Sequence, residues 1–323
     1  MNVSDTLIDG YGRTVNYARI SVTDRCNFRC VYCMPAQGVQ PVSHSEILRY
    51  EDIEFLGHVM FSLGVKKFRF TGGEPLVRRG FLQFLKRFRE LLPYAQIALT
   101  TNGSLLSLYA GELAQIGLDS LNVSLDTIDA AKFARITRIG ALSDVLSGIS
   151  AAKAAGIAKI KLNAVLMRDT SEGAAELLSF ARREGLLLRF IELMPLEKSF
   201  ASASEYVSAR AVMDGLCGGR WEELPRSEGS AGPAKYYRNC ETGDVVGVIA
   251  AMTGNICATC GRLRVSSQGR LRTCLFEQDG VDLSGLIRAR DAEGLAREII
   301  SAVRKKPERR VQSSAIHMSE IGG

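Results

Sequence analysis

Short runs of β-branched and aromatic residues alternate with longer helical patterns along the first 195 residues. This alternation is typical of βα units, in which consecutive strands lie parallel in one sheet. Six runs are predicted strands: 18–22, 66–73, 96–103, 120–125, 159–166 and 187–195. The segments between them predict five helices: 51–64, 80–92, 106–117, 142–156 and 171–185. The fold class is therefore expected to be α/β.

Six units are fewer than the eight of a closed (βα)8 barrel. The pattern predicts either a partial barrel or a doubly wound sheet, and the periodicity of the sequence does not separate the two. In both folds ligands bind beyond the carboxyl ends of the strands, and polar or glycine-rich residues follow each predicted strand, as in Gly72-Gly73-Glu74-Pro75. We expect the functional site at those ends.

The pattern changes after residue 200. Two hairpins are predicted, one turning at 241–244 and one at Gln268-Gly269, and helices are predicted over 283–289 and 292–306. We place a boundary near residue 225. Residues 1–225 would form the barrel, and residues 226–323 an α+β extension packed on the barrel mouth.

Composition excludes several classes of protein. The chain has 46% hydrophobic and 24% charged residues and contains neither a run of about 18 apolar residues nor a secretory signal pattern, so a cytoplasmic protein without a membrane span is expected. The net charge of +6 suits an anionic small molecule as well as nucleic acid. A single Trp and the lack of an aromatic-basic repeat disfavour nucleic acid.

The cysteines are the strongest chemical signal. Cys26, Cys30 and Cys33 follow the first predicted strand with the spacing C-x3-C-x2-C. A four-iron cluster normally takes four thiolates, so three would leave one iron open to bind another molecule. The alternatives are a zinc site completed by His44 or by a distant cysteine, and three unrelated thiols.

A second set of three cysteines comprises Cys257, Cys260 and Cys274. It would hold a second open cluster, or a zinc ion with Cys240 as the fourth ligand. Four arginine residues surround this set: Arg262, Arg264, Arg270 and Arg272. Their guanidinium groups suit phosphate oxygens, although such a cluster of charges more often forms a solvated basic face.

The segment "CNFRCVYC" resembles the signature of the radical S-adenosylmethionine superfamily, and "TGGEP" at 71–75 resembles the glycine-rich motif of the same superfamily. The resemblance implies a partial (βα)6 barrel of the TIM type. It also implies that S-adenosylmethionine chelates the open iron of a [4Fe-4S] cluster. An electron from the cluster then cleaves the cofactor to methionine and a 5'-deoxyadenosyl radical, which abstracts hydrogen from the substrate.

Further segments resemble the GTP 3',8-cyclase family of molybdenum cofactor biosynthesis nearly end to end: "DGYGRTVNYARISVTDRCNFRCVYCMP", "RFTGGEPLVRRG", "LTTNG", "LNVSLDT", "KLNAV", "FIELMP", "GPAKYYR" and the terminal Gly-Gly. The resemblance implies a lyase that converts GTP to (8S)-3',8-cyclo-7,8-dihydroguanosine 5'-triphosphate. It further implies two [4Fe-4S] clusters, an electron donor, a downstream cyclic pyranopterin monophosphate synthase and a homodimer.

The same resemblance implies a role for individual residues. Cys26, Cys30 and Cys33 would ligate the first cluster, and Cys257, Cys260 and Cys274 the second. The residues implied to contact S-adenosylmethionine are Tyr32, Gly73, Ser124 and Met194. Those implied to hold GTP are Arg19, Arg69, Thr100, Lys161, Arg262 and Arg264. The last two, with Gly322 and Gly323 of the tail, are also implied to act in catalysis.

Two positions depart from the family pattern. Gly261 stands where the family usually has Asn, and Ile256 where it commonly has Phe. Loss of a side chain at position 261 would alter the geometry of the second site. The sequence is also compatible with two other functions: a radical enzyme with an auxiliary cluster that modifies another substrate, such as a peptide, and a zinc-binding basic module.

Overall fold

A computed structural model of the chain describes residues 6–194, 203–216, 219–225 and 232–310. Its strands are β1 Tyr17–Ser21, β2 Lys67–Thr71, β3 Gln96–Thr101, β4 Ser120–Ser124, β5 Ile160–Leu166, β6 Leu187–Glu192, β7 Trp221–Glu223, β8 Lys235–Asn239, β9 Val245–Ile249, β10 Arg262–Val265, β11 Arg270–Arg272 and β12 Val281–Asp282. Its α-helices are α1 Tyr50–Ser62, α2 Phe81–Leu91, α3 Leu106–Gln115, α4 Ala130–Thr137, α5 Leu142–Ala154, α6 Arg168–Ser171, α7 Ala174–Glu184, α8 Ala209–Gly215, α9 Ser284–Arg288 and α10 Ala292–Arg304.

The order of the strands decides between the two predicted architectures. Strands β1 to β6 lie side by side in chain order, and each is parallel to the next. A doubly wound sheet reverses direction at a switch point, whereas a barrel adds each strand on the same side of the last. The fold is therefore the partial barrel, and the six predicted strands and five predicted helices are confirmed.

Each strand of the barrel has one apolar and one polar face. On β2, Phe68 and Phe70 are fully buried and pack edge-on against Phe88 of α2. The alternate residues, Lys67 and Arg69, point to the other face because successive side chains of a strand alternate. The helices thus cover the outside of the sheet, and the inner face is left to polar and charged side chains.

Three of the described helices were not predicted from the sequence: α4, α6 and α8. Helix α4 is capped at its N-terminus by Asp129, whose side chain accepts a hydrogen bond from the Lys132 backbone N–H. Its eight residues give too few turns for a clear helical period in the sequence.

The C-terminal part differs from its predicted position. Both predicted hairpins form, but their strands extend the same sheet instead of packing on the barrel mouth: β10 pairs parallel with β1, and β9 pairs parallel with β6. An exposed strand edge offers unpaired N–H and C=O groups. The pairing with β10 and β9 provides hydrogen-bond partners for these groups on β1 and β6, the two edge strands of the six-stranded barrel. The division at residues 225 and 226 stays a prediction.

In the part of the chain that the structure describes, no helix combines the length and the apolar character needed to cross a membrane.

Candidate active site

The first cysteine set lies in the loop that follows β1. Cys26 Sγ accepts a hydrogen bond from the Phe28 backbone N–H at 3.3 Å, and Cys30 O accepts one from Cys33 N at 2.9 Å. The loop is tied to the end of α4 through Arg29 N, which donates to Thr137 O at 3.0 Å. Burial is the main cause that raises the pKa of all three thiols, that of Cys33 to about 12. Ligation of a metal would therefore have to displace protons from these thiols.

Gly73 packs against this loop with no room for a side chain. A Cβ at this position would lie 2.1 Å from Arg25 O, and Gly73 N donates to Thr23 O at 2.8 Å. The following residue, Glu74, is buried, and its carboxylate accepts hydrogen bonds from Thr101 Oγ1 and Asn102 N. The TGGEP segment thus joins the carboxyl ends of β1, β2 and β3 around the cysteines.

The remaining predicted S-adenosylmethionine contacts lie at the same end of the barrel. Tyr32 donates its hydroxyl proton to Asp126 Oδ2 at 2.8 Å, and Asp126 Oδ1 accepts from Val165 N at 2.8 Å. Burial raises the pKa of Asp126 to about 6, although these hydrogen bonds oppose the shift. Ser124 ends β4, and Met194 follows β6. The fold therefore brings Tyr32, Gly73, Ser124 and Met194 to one region.

The second cysteine set lies at the amino end of β1. Cys257 and Cys260 precede β10, and Gly261 O accepts a hydrogen bond from Tyr17 N, the first residue of β1. The first set follows the carboxyl end of the same strand, so β1, ~13 Å long, lies between the two sets. This corrects the expectation that all functional residues gather at the carboxyl ends.

Within the second set, the surroundings of Cys260 favour a thiolate. Burial raises the pKa of Cys260, but the nearby Arg262 and Lys306 and hydrogen bonds from Arg262 outweigh it and lower the pKa to about 6. Cys274 and Met194 both pack against Phe276, which connects the loop after β11 to the end of β6.

Basic side chains occupy the barrel interior between the two sets. Register places Arg264, Arg19 and Arg69 side by side on β10, β1 and β2. They lie inside the strands and not beyond the carboxyl ends, where the functional site was expected. Lys161 of β5 joins them; burial, reinforced by Arg189, Lys67 and Arg69, lowers its pKa to about 8. The interior is therefore strongly electropositive.

Not all of these basic groups are equally available to a ligand. Arg69 donates to Tyr17 Oη at 2.7 Å, to Leu99 O at 2.7 Å, to Thr100 Oγ1 at 3.3 Å and to Ser120 Oγ at 3.1 Å, so it braces four strands of the barrel. In contrast, Arg189 Nη2 and Arg264 Nη1 are buried donors without a hydrogen-bond partner among the described residues. Such groups are costly unless something binds them.

Sequence reasoning missed Arg189 and Lys67 as members of this cluster. Lys67 precedes Arg69 by two residues on β2, so its side chain lies on the same inward face. Arg189 of β6 aligns with Asn163 of β5, which follows Lys161 by two residues, so Arg189 lies on that face as well. The period-2 alternation within the predicted strands could have identified them, since residues two apart on a strand share a face.

The two zinc alternatives find no support among the residues described. No three Cys, His, Asp or Glu side chains there are placed to hold one metal ion. A single zinc ion requires convergence on one point, whereas a four-iron cluster distributes its thiolates over separate irons. His44 Nε2 instead lies 3.4 Å from Arg25 Nη2, and Cys240 is exposed. Gly322 and Gly323 lie outside the described residues.

Gly261 packs closely against the segment that precedes β1. A Cβ at this position would lie 2.2 Å from Thr14 O. Gly261→Ala is therefore expected to push β10 away from β1, to lower the free energy of unfolding by about 1–3 kcal/mol and to reduce iron binding at the second cysteine set. Iron analysis and denaturant unfolding measure both effects.

Gly111→Ala is the matched control, because nothing lies within 4 Å of a Cβ at Gly111 on helix α3. It should raise stability by about 0.5–1 kcal/mol. Unchanged stability and iron content in Gly261→Ala would contradict the expected clash.

Known protein families match this chain over most of its length. Residues 20–181 match the Radical SAM superfamily, and residues 186–311 match the family described as Molybdenum Cofactor Synthesis C. Together with the partial barrel and the three-cysteine loop, these matches define a radical S-adenosylmethionine protein. The GTP 3',8-cyclase of Geobacter sulfurreducens is 41% identical over 98% of this chain and 99% of its own length, and that of Marinobacter nauticus is 43% identical over 95% and 94%. The chain belongs to the GTP 3',8-cyclase family.

Solved structures agree on the fold. The crystal structure of Streptococcus suis SuiB superimposes with a TM-score of 0.59 at 16% identity, covering 88% of this chain and 68% of SuiB. At this level of identity the likeness concerns the fold alone.

Proposed function

We propose that the protein is a GTP 3',8-cyclase, which catalyses the first step of molybdenum cofactor biosynthesis. The observation that carries the proposal is the electropositive barrel interior, with the unpartnered donors of Arg189 and Arg264, placed between two sets of three cysteines. GTP carries several negative charges on its triphosphate, and buried guanidinium groups bind phosphate oxygens well.

The triphosphate would bind across the inner face of β1, β2, β5 and β10. Arg19, Lys161 and Arg264 would hold it together with Arg189, while Arg69 and Thr100 position one another through their hydrogen bond. The positive surroundings support this assignment. They lower the pKa of Tyr17 to about 7, because Arg69, Arg19 and Lys67 outweigh the effect of burial. A polyanion would relieve the repulsion among these cations.

Cys26, Cys30 and Cys33 would hold the first [4Fe-4S] cluster, next to a S-adenosylmethionine site formed by Tyr32, Gly73, Ser124 and Met194. The two clusters and S-adenosylmethionine are the cofactors of this family. When bound, the first cluster and S-adenosylmethionine supply the one-electron chemistry that removes a hydrogen atom from the ribose. The close contact of Gly73 with the cysteine loop brings a backbone edge next to that cofactor.

The second cluster would be held by Cys257, Cys260 and Cys274, with Arg262 beside it, and would face the guanine. The low pKa of Cys260 supports a thiolate ligand there. Placing the base at the amino end of β1 and the ribose nearer its carboxyl end would orient the nucleotide along the strand. Gly322 and Gly323 would complete the site from the tail.

Further partners follow from the proposal. Cluster reduction requires an electron donor, and the cyclised nucleotide would pass to a cyclic pyranopterin monophosphate synthase. A homodimer in the cytoplasm, with neither nucleic acid nor membrane as a partner, completes the proposal.

The test is anaerobic purification with iron and sulfide analysis, followed by incubation with dithionite, S-adenosylmethionine and GTP. About eight irons per chain, the sum of two four-iron clusters, together with GTP-dependent 5'-deoxyadenosine and a cyclised nucleotide would support the proposal. Iron and cleavage without a change in GTP would indicate a radical enzyme for another substrate. Zinc without iron would contradict the proposal.

The pKa of Lys161 predicts how GTP binding depends on pH. In the free protein this pKa is lowered to about 8, and the phosphates of GTP would raise it, so binding takes up a proton. Affinity for GTP should therefore fall as pH rises above 8, by up to about tenfold per pH unit. Calorimetry between pH 7 and 9 measures the effect.

Lys161→Arg is the control, since arginine stays charged over this range. It should bind GTP with a flatter pH profile, and the titration of the nucleotide itself is common to both proteins. Equal pH profiles for wild type and Lys161→Arg would contradict the role of Lys161.

A further inference from the structure

Lys306 lies two residues after the end of α10, near the start of the C-terminal tail, and is buried at 2% exposure. Its ammonium group donates to Arg262 O at 3.1 Å and to Thr273 O. Arg262 follows Cys260 by two residues, and Thr273 immediately precedes Cys274. The ammonium group therefore joins the two chain segments that carry the second cysteine set.

Among the described residues, this buried cation has no carboxylate partner, because no Asp or Glu oxygen lies within 4.0 Å of Lys306. Arg13, another buried cation nearby, is instead paired with Asp9 at 2.5 Å. Burial of a charge is costly unless an opposite charge compensates it. The groups near Lys306 that would carry the opposite charge are Cys260 and Cys274, as thiolates bound to a cluster.

The segment that carries Lys306 is held firmly in place. Arg13 donates to Pro307 O at 2.6 Å and to Glu308 O at 2.9 Å, and it donates to Cys257 O at 2.7 Å. One guanidinium group thus links the residues after Lys306 to the remaining cysteine of the second set. Lys306 cannot move away from that set without breaking this network.

We propose that Lys306 is the built-in counter-charge of the second iron-sulfur cluster and that it raises the reduction potential of this cluster. The inference rests on the proposed function, because it requires a cluster on Cys257, Cys260 and Cys274. A thiolate-bound cluster becomes more negative on reduction, so a fixed buried cation stabilises the reduced form more than the oxidised form. Net charge and hydrogen bonding around a cluster are established determinants of its potential.

The test uses the full chain with Cys26→Ala, Cys30→Ala and Cys33→Ala, so that only the second cluster is present. After anaerobic reconstitution, iron is counted and the midpoint potential is measured by a redox titration followed by electron paramagnetic resonance. Lys306→Met should lower the potential by at least a tenfold change in the redox equilibrium, about 59 mV for one electron. Lys306→Arg, which keeps the charge, should stay near the parent value.

Arg89→Met is the matched control. Arg89 also donates to backbone carbonyl oxygens, those of Pro93, Ala95 and Gly117, although unlike Lys306 it is paired with a carboxylate, that of Asp119. Its replacement changes the net charge equally, but it lies beside the start of β3 and β4. It should leave the potential unchanged. A Lys306→Met protein with full iron and the parent potential would overturn the proposal.

If Lys306→Met binds no iron, Lys306→Gln and Lys306→Arg decide the matter. Iron retained in the arginine variant alone, or a lowered potential in the glutamine variant, supports the counter-charge. The parent potential in the glutamine variant, or loss of iron in all three, overturns it in favour of a purely bracing role. A parent protein without iron would overturn the proposed second cluster and, with it, this inference. About four irons per parent chain would show that the second cluster is present, and the measured potentials then test the role of Lys306 alone.

Discussion

Cys30→Ala is expected to abolish reductive cleavage of S-adenosylmethionine, whereas Cys260→Ala is expected to retain cleavage and to lose cyclisation of GTP. Cys30 belongs to the loop at the carboxyl end of β1, next to the proposed S-adenosylmethionine site, and Cys260 to the set at the amino end. Removal of one of three thiolates leaves the first cluster without the ligands that hold it. Chromatography of 5'-deoxyadenosine and of the nucleotide products separates the two outcomes.

The exposed thiol of Cys240 provides the control, because Cys240→Ala removes a cysteine without touching either set. It should leave iron content, cleavage and cyclisation unchanged. Coupled turnover at the wild-type rate in Cys260→Ala would eliminate the proposed role of the second set. Persistent cleavage in Cys30→Ala would do the same for the first.

Arg189→Met is expected to weaken GTP binding by roughly 10- to 100-fold, the range for loss of a hydrogen bond to a charged group. Arg189 Nε donates to Asn163 Oδ1 at 3.0 Å, which orients the guanidinium group, while Nη2 has no hydrogen-bond partner in the part of the chain that the structure describes. Methionine keeps much of the length of the side chain and removes the charge. Calorimetry with GTP measures the affinity, and steady-state assays measure KM and kcat.

The effect should appear in the KM for GTP and in the dissociation constant, while the KM for S-adenosylmethionine stays near its wild-type value. Arg183→Met on the exposed face of α7 is the matched control and should change neither. If Arg189→Met binds GTP as tightly as the wild type, the barrel interior is not the triphosphate site, and the proposed orientation of the nucleotide fails with it.

The sequence by itself determined the elements of the barrel and the chemistry of its most reactive residues. Six β-rich runs and five amphipathic patterns appear in the structure nearly where they were predicted, because the periods of strands and helices are local properties. The two cysteine sets could also be recognised in the sequence, because the spacing of cysteines along the chain is itself a property of the sequence. Each triplet contains one cysteine fewer than the four ligands of a closed site.

Only the tertiary structure decided where these parts meet. The pairing of β10 with β1 carries Cys260 to the amino end of the barrel, and an edge-to-edge pairing between residues so distant in the chain leaves no local signature. The close approach of Thr14 O to Gly261, the unpartnered donors of Arg189 and the burial of Lys306 between Arg262 O and Thr273 O are of the same kind. Each depends on which segments pack together and on which face a side chain points. Packing of distant segments creates these contacts, and a local pattern of residues therefore does not contain them.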